Sequence, residues 1–143
     1  MEFLRLLWAV DHGLQSASKR MARSLGVTGP QRLVIRIVGR MPGISPGDLA
    51  GILHVHPSTL TGVLTRLVDH GLLARRGDLR DRRRMILTLT EKGKAINRST
   101  AGTVEAGVRR MLDSMPAADL AASERVLRRL AADLTEQSLS WTK

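Results

Sequence analysis

Cysteine and tyrosine are absent from this chain of 143 residues, and aromatic residues of any kind are scarce: Phe3, Trp8 and Trp141 are all it has. The lack of cysteine excludes disulfides, thiolate metal sites and thiol-based redox sensing. The shortage of aromatics argues against single-stranded nucleic acid as a ligand, because proteins that hold it stack bases on several aromatic side chains. No window approaches the ~20 apolar residues of a membrane-spanning helix. The N-terminal apolar run is interrupted by Glu2, Arg5 and Asp11, unlike a signal peptide, so a cytoplasmic protein is expected. Catalytic signatures are missing too: there is no Gly-x-Ser-x-Gly elbow, no phosphate-binding Gly-rich loop followed by lysine, and no His-Glu-x-x-His. Of the histidines His12, His54, His56 and His70, the pair His54-x-His56 has no acidic or thiolate ligand in a compact motif. No metal, no other cofactor and no enzymatic activity are expected.

Acidic residues are also in deficit. Thirteen stand against 23 basic ones, a net charge of +10. Such a balance suits a polyanionic partner, nucleic acid being the usual one, although composition alone also fits a merely soluble basic protein. The length is sufficient for one domain with a real core.

Hydrophobic spacing organises the chain. Phe3, Leu7, Val10, Leu14, Ala17 and Met21 alternate steps of four and three, a heptad seam over a helix at 2–25, with Leu4, Trp8 and Leu25 widening the stripe and Gly26 as its stop. Thr28-Gly29-Pro30-Gln31 fits a capping box opening a second helix, which ends before Met41-Pro42-Gly43. Ser45-Pro46 opens a short third helix to about His54, and Pro57 a fourth to about His70. Two short helices joined only by Val55-His56 form a helix-turn-helix. Leu72–Arg75 and Arg84–Leu89 are predicted strands, and a helix-turn-helix followed directly by a hairpin is a winged helix. Thr90 is expected to cap one long helix to about Met115, Pro116 breaks it, and a last helix covers 117–139. The expected fold class is therefore mainly α with a small β-hairpin wing. It is a single domain over 1–143, with a winged helix-turn-helix part at 30–90 flanked by long dimerisation helices at 1–25 and 91–143. The amphipathic helices at both ends need a partner for their apolar stripes, and a second copy of the chain is the simplest one.

The turn between the strands is the most concentrated chemical signal. Six of the ten residues from Arg75 to Arg84 are arginine, and two are aspartate. Guanidinium groups are permanently charged and their planar fork suits phosphates and narrow grooves. Out of context, such a run reads as a solvated charged segment; on the tip of a hairpin it is a device for touching nucleic acid.

Thr28-Gly29-Pro30-Gln31, Asp48-Leu49-Ala50, Pro57-Ser58-Thr59-Leu60-Thr61, Leu64-x-x-Leu67-x-x-x-Gly71-Leu72-Leu73, Asp78-x-Arg80-Asp81-x-Arg83 and Leu87-Thr88-Leu89-Thr90-Glu91-Lys92-Gly93 follow one another along the chain. In these motifs and their intervals the chain resembles the MarR family of bacterial transcriptional regulators over nearly its whole length. The wing segment with the following Leu-Thr-x-x-Gly is the most specific piece. The resemblance implies a winged-helix homodimer on a palindromic operator, with terminal helices forming the dimer interface. Many members are repressors released by small aromatic or phenolic anions, and the cysteine-based oxidant response of others is closed to this chain.

On the fourth helix, Ser58, Thr59, Thr61, Gly62, Thr65 and Arg66 are the expected DNA-facing residues, with Leu60, Val63, Leu64 and Leu67 turned inward. Arg66 suits guanine, whose O6 and N7 accept two donors. Thr59 and Thr61 suit bases or phosphates, and Gly62 permits close approach. His56, at the N-cap, can donate to a phosphate beside the helix N-terminus, or be a plain turn residue. In the wing, Arg83 is the expected minor-groove arginine. The resemblance gives Asp81 the role of orienting it, which would reduce the rotamer entropy lost on binding. Arg80, Arg82 and Arg84 then reach phosphates or the flanking strand, and of Arg75 and Arg76 one points to DNA and the other away. By position, Trp8, His12, Arg23, Gln31 and Met41 are candidates for an effector pocket; Trp8 could equally be plain core or interface. The leading expectation is thus a sequence-specific regulator of duplex DNA, a repressor by preference, with a small-molecule effector. A nonspecific architectural nucleic-acid binder is the alternative, and a protein-interaction module is a third reading that leaves the arginine turn without a role.

Overall fold

The structure is a computed structural model that describes residues 1–78 and 84–140. Its elements are α1 (Glu2–Leu25), α2 (Gly29–Arg40), α3 (Pro46–Leu53), α4 (Pro57–Asp69), β1 (Leu73–Gly77), β2 (Met85–Leu89), α5 (Glu91–Arg98), α6 (Val104–Leu112) and α7 (Ala117–Ser140). This is the mainly helical architecture with a hairpin wing that the sequence predicts.

Local chemistry sets most boundaries. Gly26 ends α1 in the left-handed region, φ 72°, where a residue without a β-carbon fits best. Gln31 Oε1 reaches back to accept from the Thr28 amide at 2.9 Å at the start of α2. Ser45 caps α3 by accepting from Asp48 N at 3.1 Å. The turn from α3 to α4 is made by a histidine: His54 has φ 52°, and the following amide of Val55 returns to the carbonyl of Ala50 at 3.2 Å.

β1 and β2 pair antiparallel from Leu73↔Leu89 to Gly77↔Met85. Ile44 adds a bridge on the outer side of β2: Leu87 N donates to Ile44 O at 3.0 Å and Gly43 N to Leu87 O at 2.9 Å. The wing base is thereby tied to the segment that leads into α3. Beneath it lies one core, in which Val34, Ile35 and Val38 of α2, Leu49 of α3, Leu60, Leu64 and Leu67 of α4, and Leu72, Leu73 and Leu87 of the hairpin are all buried. α1 adds one buried residue, Met21, and α6 none among the described residues.

The helix after the wing departs from expectation. One helix from Thr90 to Met115 was predicted; the chain instead makes α5, a break at 99–103, and α6. The break has two causes. Locally, Gly102 takes φ 71° and Thr103 starts a new helix, its hydroxyl accepting from Ala106 N at 3.3 Å. From a distance, Arg32 of α2 inserts its guanidinium at the end of α5 and donates to the carbonyls of Ile96 and Ser99, the latter at 2.5 Å. A cation at a helix C-terminus satisfies orphan carbonyls and meets the negative end of the helix dipole.

The junction of α4, β1 and α5 explains the Leu-Thr-Glu-Lys-Gly motif at 89–93. Thr90 caps α5 by accepting from Gly93 N at 3.1 Å, and its hydroxyl donates to Gly71 O at 2.6 Å. Lys92 Nζ donates to His70 O at 3.0 Å, closing the carbonyl end of α4. A β-carbon on Gly93 would stand 2.1 Å from Leu72 O, so backbone meets backbone there. Gly93→Ala is expected to destabilise the fold by about 1–3 kcal/mol, the range for forcing atoms into a packed site. Urea unfolding checks this, and an unchanged midpoint would contradict the packing described.

Candidate nucleic-acid interface

α4 presents two chemically distinct sides. Leu60, Leu64 and Leu67 are buried and Val63 partly so, whereas Ser58, Thr59, Thr61, Gly62, Thr65 and Arg66 are all exposed. The helix is thus seated on the core by its leucines and offers hydroxyls and a guanidinium outward. Two polar groups already have partners within the helix. Thr61 Oγ1 donates to Pro57 O at 2.9 Å, so its lone pairs remain for an incoming donor. His56 Nδ1 accepts from Ser58 N at 3.3 Å and lies 2.7 Å from Ser58 Oγ. With Nδ1 accepting, the proton of the neutral ring is assigned to Nε2, which becomes a donor beside the helix N-terminus.

On the wing, Arg75 and Arg76 are both exposed on β1. Asp78 N donates to Arg84 O at 2.8 Å at the upper end of the described hairpin. The Arg84 side chain lies 3.6 Å from Asp48 Oδ2, and the Ser45 hydroxyl donates to that same oxygen at 2.7 Å. An exposed pair of this kind contributes little stability, but it links the upper end of the described hairpin to α3. Arg80, Asp81, Arg82 and Arg83 lie outside the described residues. Nearby in sequence, Glu91 has its pKa lowered from the ordinary carboxylate value by a hydrogen bond and charge attraction from Lys94, with Arg98 adding a smaller pull against slight desolvation. Its sign is that of a depressed carboxylate: the small favourable contribution is present above the ordinary pKa and is lost as pH falls through the lowered one.

Behind α4 lies a cavity of about 850 Å³ between α1, α2, α4 and α6. Leu14, Leu33, Ile37, Val63 and Val108 supply apolar wall, and Arg36, Arg40, Glu105 and Arg109 supply charge. Thr59 and Leu60 also line it, so α4 has its outer face toward solvent and part of its flank on this space. None of Trp8, His12, Arg23, Gln31 or Met41 is among its lining residues. Trp8, His12, Arg23 and Met41 are exposed, and Gln31 is buried as the cap of α2, so these five are not brought together at this cavity. Sequence reasoning overlooked Arg36, Arg40 and Glu105. The available signal was the four-residue spacing of Arg32, Arg36 and Arg40, which stacks them along one face of α2. Among the described residues no cluster of His, Asp or Glu could hold a metal ion, and no helix is long and apolar enough to cross a membrane.

A family model described as MarR family matches residues 27–85, the segment that holds α2, the helix-turn-helix and β1 and ends at the first residue of β2. An HTH-type transcriptional repressor of Mycobacterium tuberculosis is 30% identical over 128 residues, covering 90% of this chain and 92% of that protein. The chain belongs to the MarR family. Like other members of the MarR family it is a DNA-binding transcriptional regulator and not an enzyme. A solved structure of a mutant MarR from Escherichia coli complexed with operator DNA is 25% identical, with a TM-score of 0.71 and coverage of 91% of this chain and 94% of that one. The PcaV regulator of Streptomyces coelicolor, solved with its natural ligand, is 25% identical with a TM-score of 0.65, covering 86% and 89%.

Gly62 offers a direct test of the α4 face in this MarR-family protein. Nothing lies within 4 Å of a β-carbon built there, so the free protein has room for one. Gly62→Ala should stabilise the unbound protein by about 0.5–1 kcal/mol through helix propensity. Where backbone approaches a groove, the same methyl should weaken duplex binding by roughly tenfold, about 1.4 kcal/mol. Thermal unfolding and fluorescence anisotropy read the two effects separately; stabilisation with unchanged DNA affinity would remove Gly62 from the interface.

Proposed function

We propose that this MarR-family protein is a repressor that binds a palindromic operator as a homodimer, acts in the cytoplasm, and is released by a small aromatic or anionic ligand. The observation that carries the reading is the α4 surface: six polar or glycine positions exposed on a helix whose opposite side is locked into the core. Arg66 is the residue assigned to guanine, Ser58, Thr59, Thr61 and Thr65 to bases or phosphates, and His56 Nε2 to a phosphate. Arg83 is assigned to the minor groove with Asp81 orienting it, while Arg75, Arg76, Arg80, Arg82 and Arg84 supply further positive charge.

The homodimer reading rests on unpartnered apolar surface. Phe3, Leu4, Leu6, Trp8 and Val10 of α1, Val108 and Met111 of α6, and Val126, Leu127 and Leu134 of α7 are large hydrophobic residues left exposed. Exposed apolar surface on this scale marks an interaction face, and a second copy offers the same face in return. The parts at 1–25 and 91–143 then serve dimerisation and 30–90 serves DNA binding. Ligand release rests on the cavity, whose volume suits a small organic molecule. Its apolar wall suits a hydrocarbon or aromatic body, its arginines an anionic group, and its contact with Thr59 and Leu60 reaches the reading helix. A ligand shifts DNA affinity only by its difference in affinity between the DNA-competent and incompetent geometries.

A salt titration on the selected operator and on random duplex separates this reading from nonspecific binding by a protein of net charge +10. The operator should be preferred by about 10³-fold or more, and Arg83→Ala should lose most operator affinity while remaining a folded dimer. A ratio near one at every salt concentration identifies an architectural binder, and wild-type affinity in the folded Arg83→Ala dimer overturns the wing assignment.

A further inference from the structure

Arg32 is the most deeply buried cation described, 1% exposed, yet it takes no part in the α4 surface or the cavity lining. Its guanidinium spends its arms on both sides of the break after the wing. Nε donates to Glu105 Oε1 of α6 at 2.6 Å, Nη1 to Ile96 O, and Nη2 to Ser99 O at 2.5 Å and more distantly to Asn97 O at 3.4 Å. One turn along α2, Arg36 Nη1 donates to Asn97 O and Asn97 Oδ1, both at 3.1 Å, and its Nε stands 3.8 Å from Glu105. Two arginines of the reading head thus hold both the end of α5 and the first turn of α6.

Few other contacts can do this. α6 contributes no buried residue among those described, and its N-cap Thr103 is the one buried position at the break. α6 leans mainly on α1, whose one buried residue is Met21 and whose Leu25 packs against the core from its far end. Apolar contacts slide over one another at little cost, whereas a forked guanidinium with fixed acceptors specifies one arrangement. A buried ion pair contributes little net stability over an apolar substitute but can define a unique geometry.

We infer that Arg32 is a positioning residue for DNA recognition: through Glu105 and the carbonyl end of α5 it sets the angle between the reading head and the helical frame of α6 and α7. The inference rests on the homodimer reading, because only when two heads share one frame does that angle become the spacing between them. Simultaneous engagement of both half-sites is lost when geometry forbids it.

The chain has no cysteine, so labels can be placed cleanly at Asp69→Cys on α4 and Arg110→Cys on α6, both exposed. Spin-label distances within one protomer, diluted with unlabelled chain, should give a narrow distribution with Arg32 present. Arg32→Met and Arg32→Lys should broaden it about twofold, lysine failing because it keeps the charge without the fork. In parallel, the affinity ratio between the best inverted repeat and one respaced by half a helical turn should fall from above about tenfold to below about threefold, with single half-site affinity within about twofold. An unchanged distance distribution overturns the inference, as does a broadened one with the spacing ratio retained, or half-site affinity falling in step with the full site. Should the single variants not fold, Arg32→Met with Glu105→Leu removes both charges and is read by the same criteria. If the parent protein itself shows no spacing preference, the homodimer-operator reading fails, and the distance distribution alone then decides whether Arg32 holds the frame.

Discussion

The structure turns on a permanently charged group taken out of water. A buried guanidinium needs acceptors for its N–H groups, and the fold surrounds Arg32 with carbonyls of Ile96, Asn97 and Ser99 and the carboxylate of Glu105. The carbonyls among those acceptors are open to it because α5 stops where it does. The guanidinium projecting from α2 meets the end of α5 and the first turn of α6, while Gly102 and the Thr103 cap turn the chain locally between them. Take the cation away and Ser99 O loses its guanidinium donor, while Ile96 O keeps the Ser99 amide and Asn97 O keeps Arg36.

A second constraint fixes the reading surface. The carbonyl end of α4 is closed by Thr90 and Lys92 from the start of α5, and Gly93 lets α5 approach the Leu72 backbone without a side chain between them. β2 is held on its other edge by the bridge to Ile44, and at the upper end of the described hairpin Arg84 pairs with Asp48. α4 therefore meets solvent from a platform in which the hairpin and the start of α5 are tied by backbone and side-chain hydrogen bonds. Such rigidity matters for recognition, because groups already in place lose less entropy on binding.

Much of this was legible in the sequence, for reasons that can be named. The glycine after α1, the capping residues Gln31 and Ser45, and the proline openings of α3 and α4 act within a few residues of themselves, so local chemistry determines them. The inward and outward sides of α4 follow from leucine spacing alone. The helix break at 99–103 was missed because its main agent sits far away in the chain, although Gly102 between two threonines was a visible local hint. The cavity was missed for the same reason: its arginines on α2 and Glu105 on α6 meet only when the chain is folded, whereas the proposed ligand residue Gln31 was already committed to a cap. The expected pairing of Asp81 with Arg83 lies outside the described residues and remains a proposal that the family resemblance implies.

Function then follows from connection between parts. The reading helix shares a wall with the cavity through Thr59 and Leu60, and Glu105 belongs both to that cavity and to the Arg32 cluster. In the proposed reading, the cavity, the α4 surface and the frame that would join two copies are contiguous through a few side chains, which would give a ligand a physical route to the DNA-binding geometry. The central claim is that two such heads read duplex DNA as a fixed pair. Selection of bound duplexes from a random library by the 143-residue chain tests it most directly. The account predicts enrichment of an inverted repeat with half-sites about one helical turn apart, ~10 base pairs centre to centre; recovery of unrelated sequences with no shared repeat would contradict it.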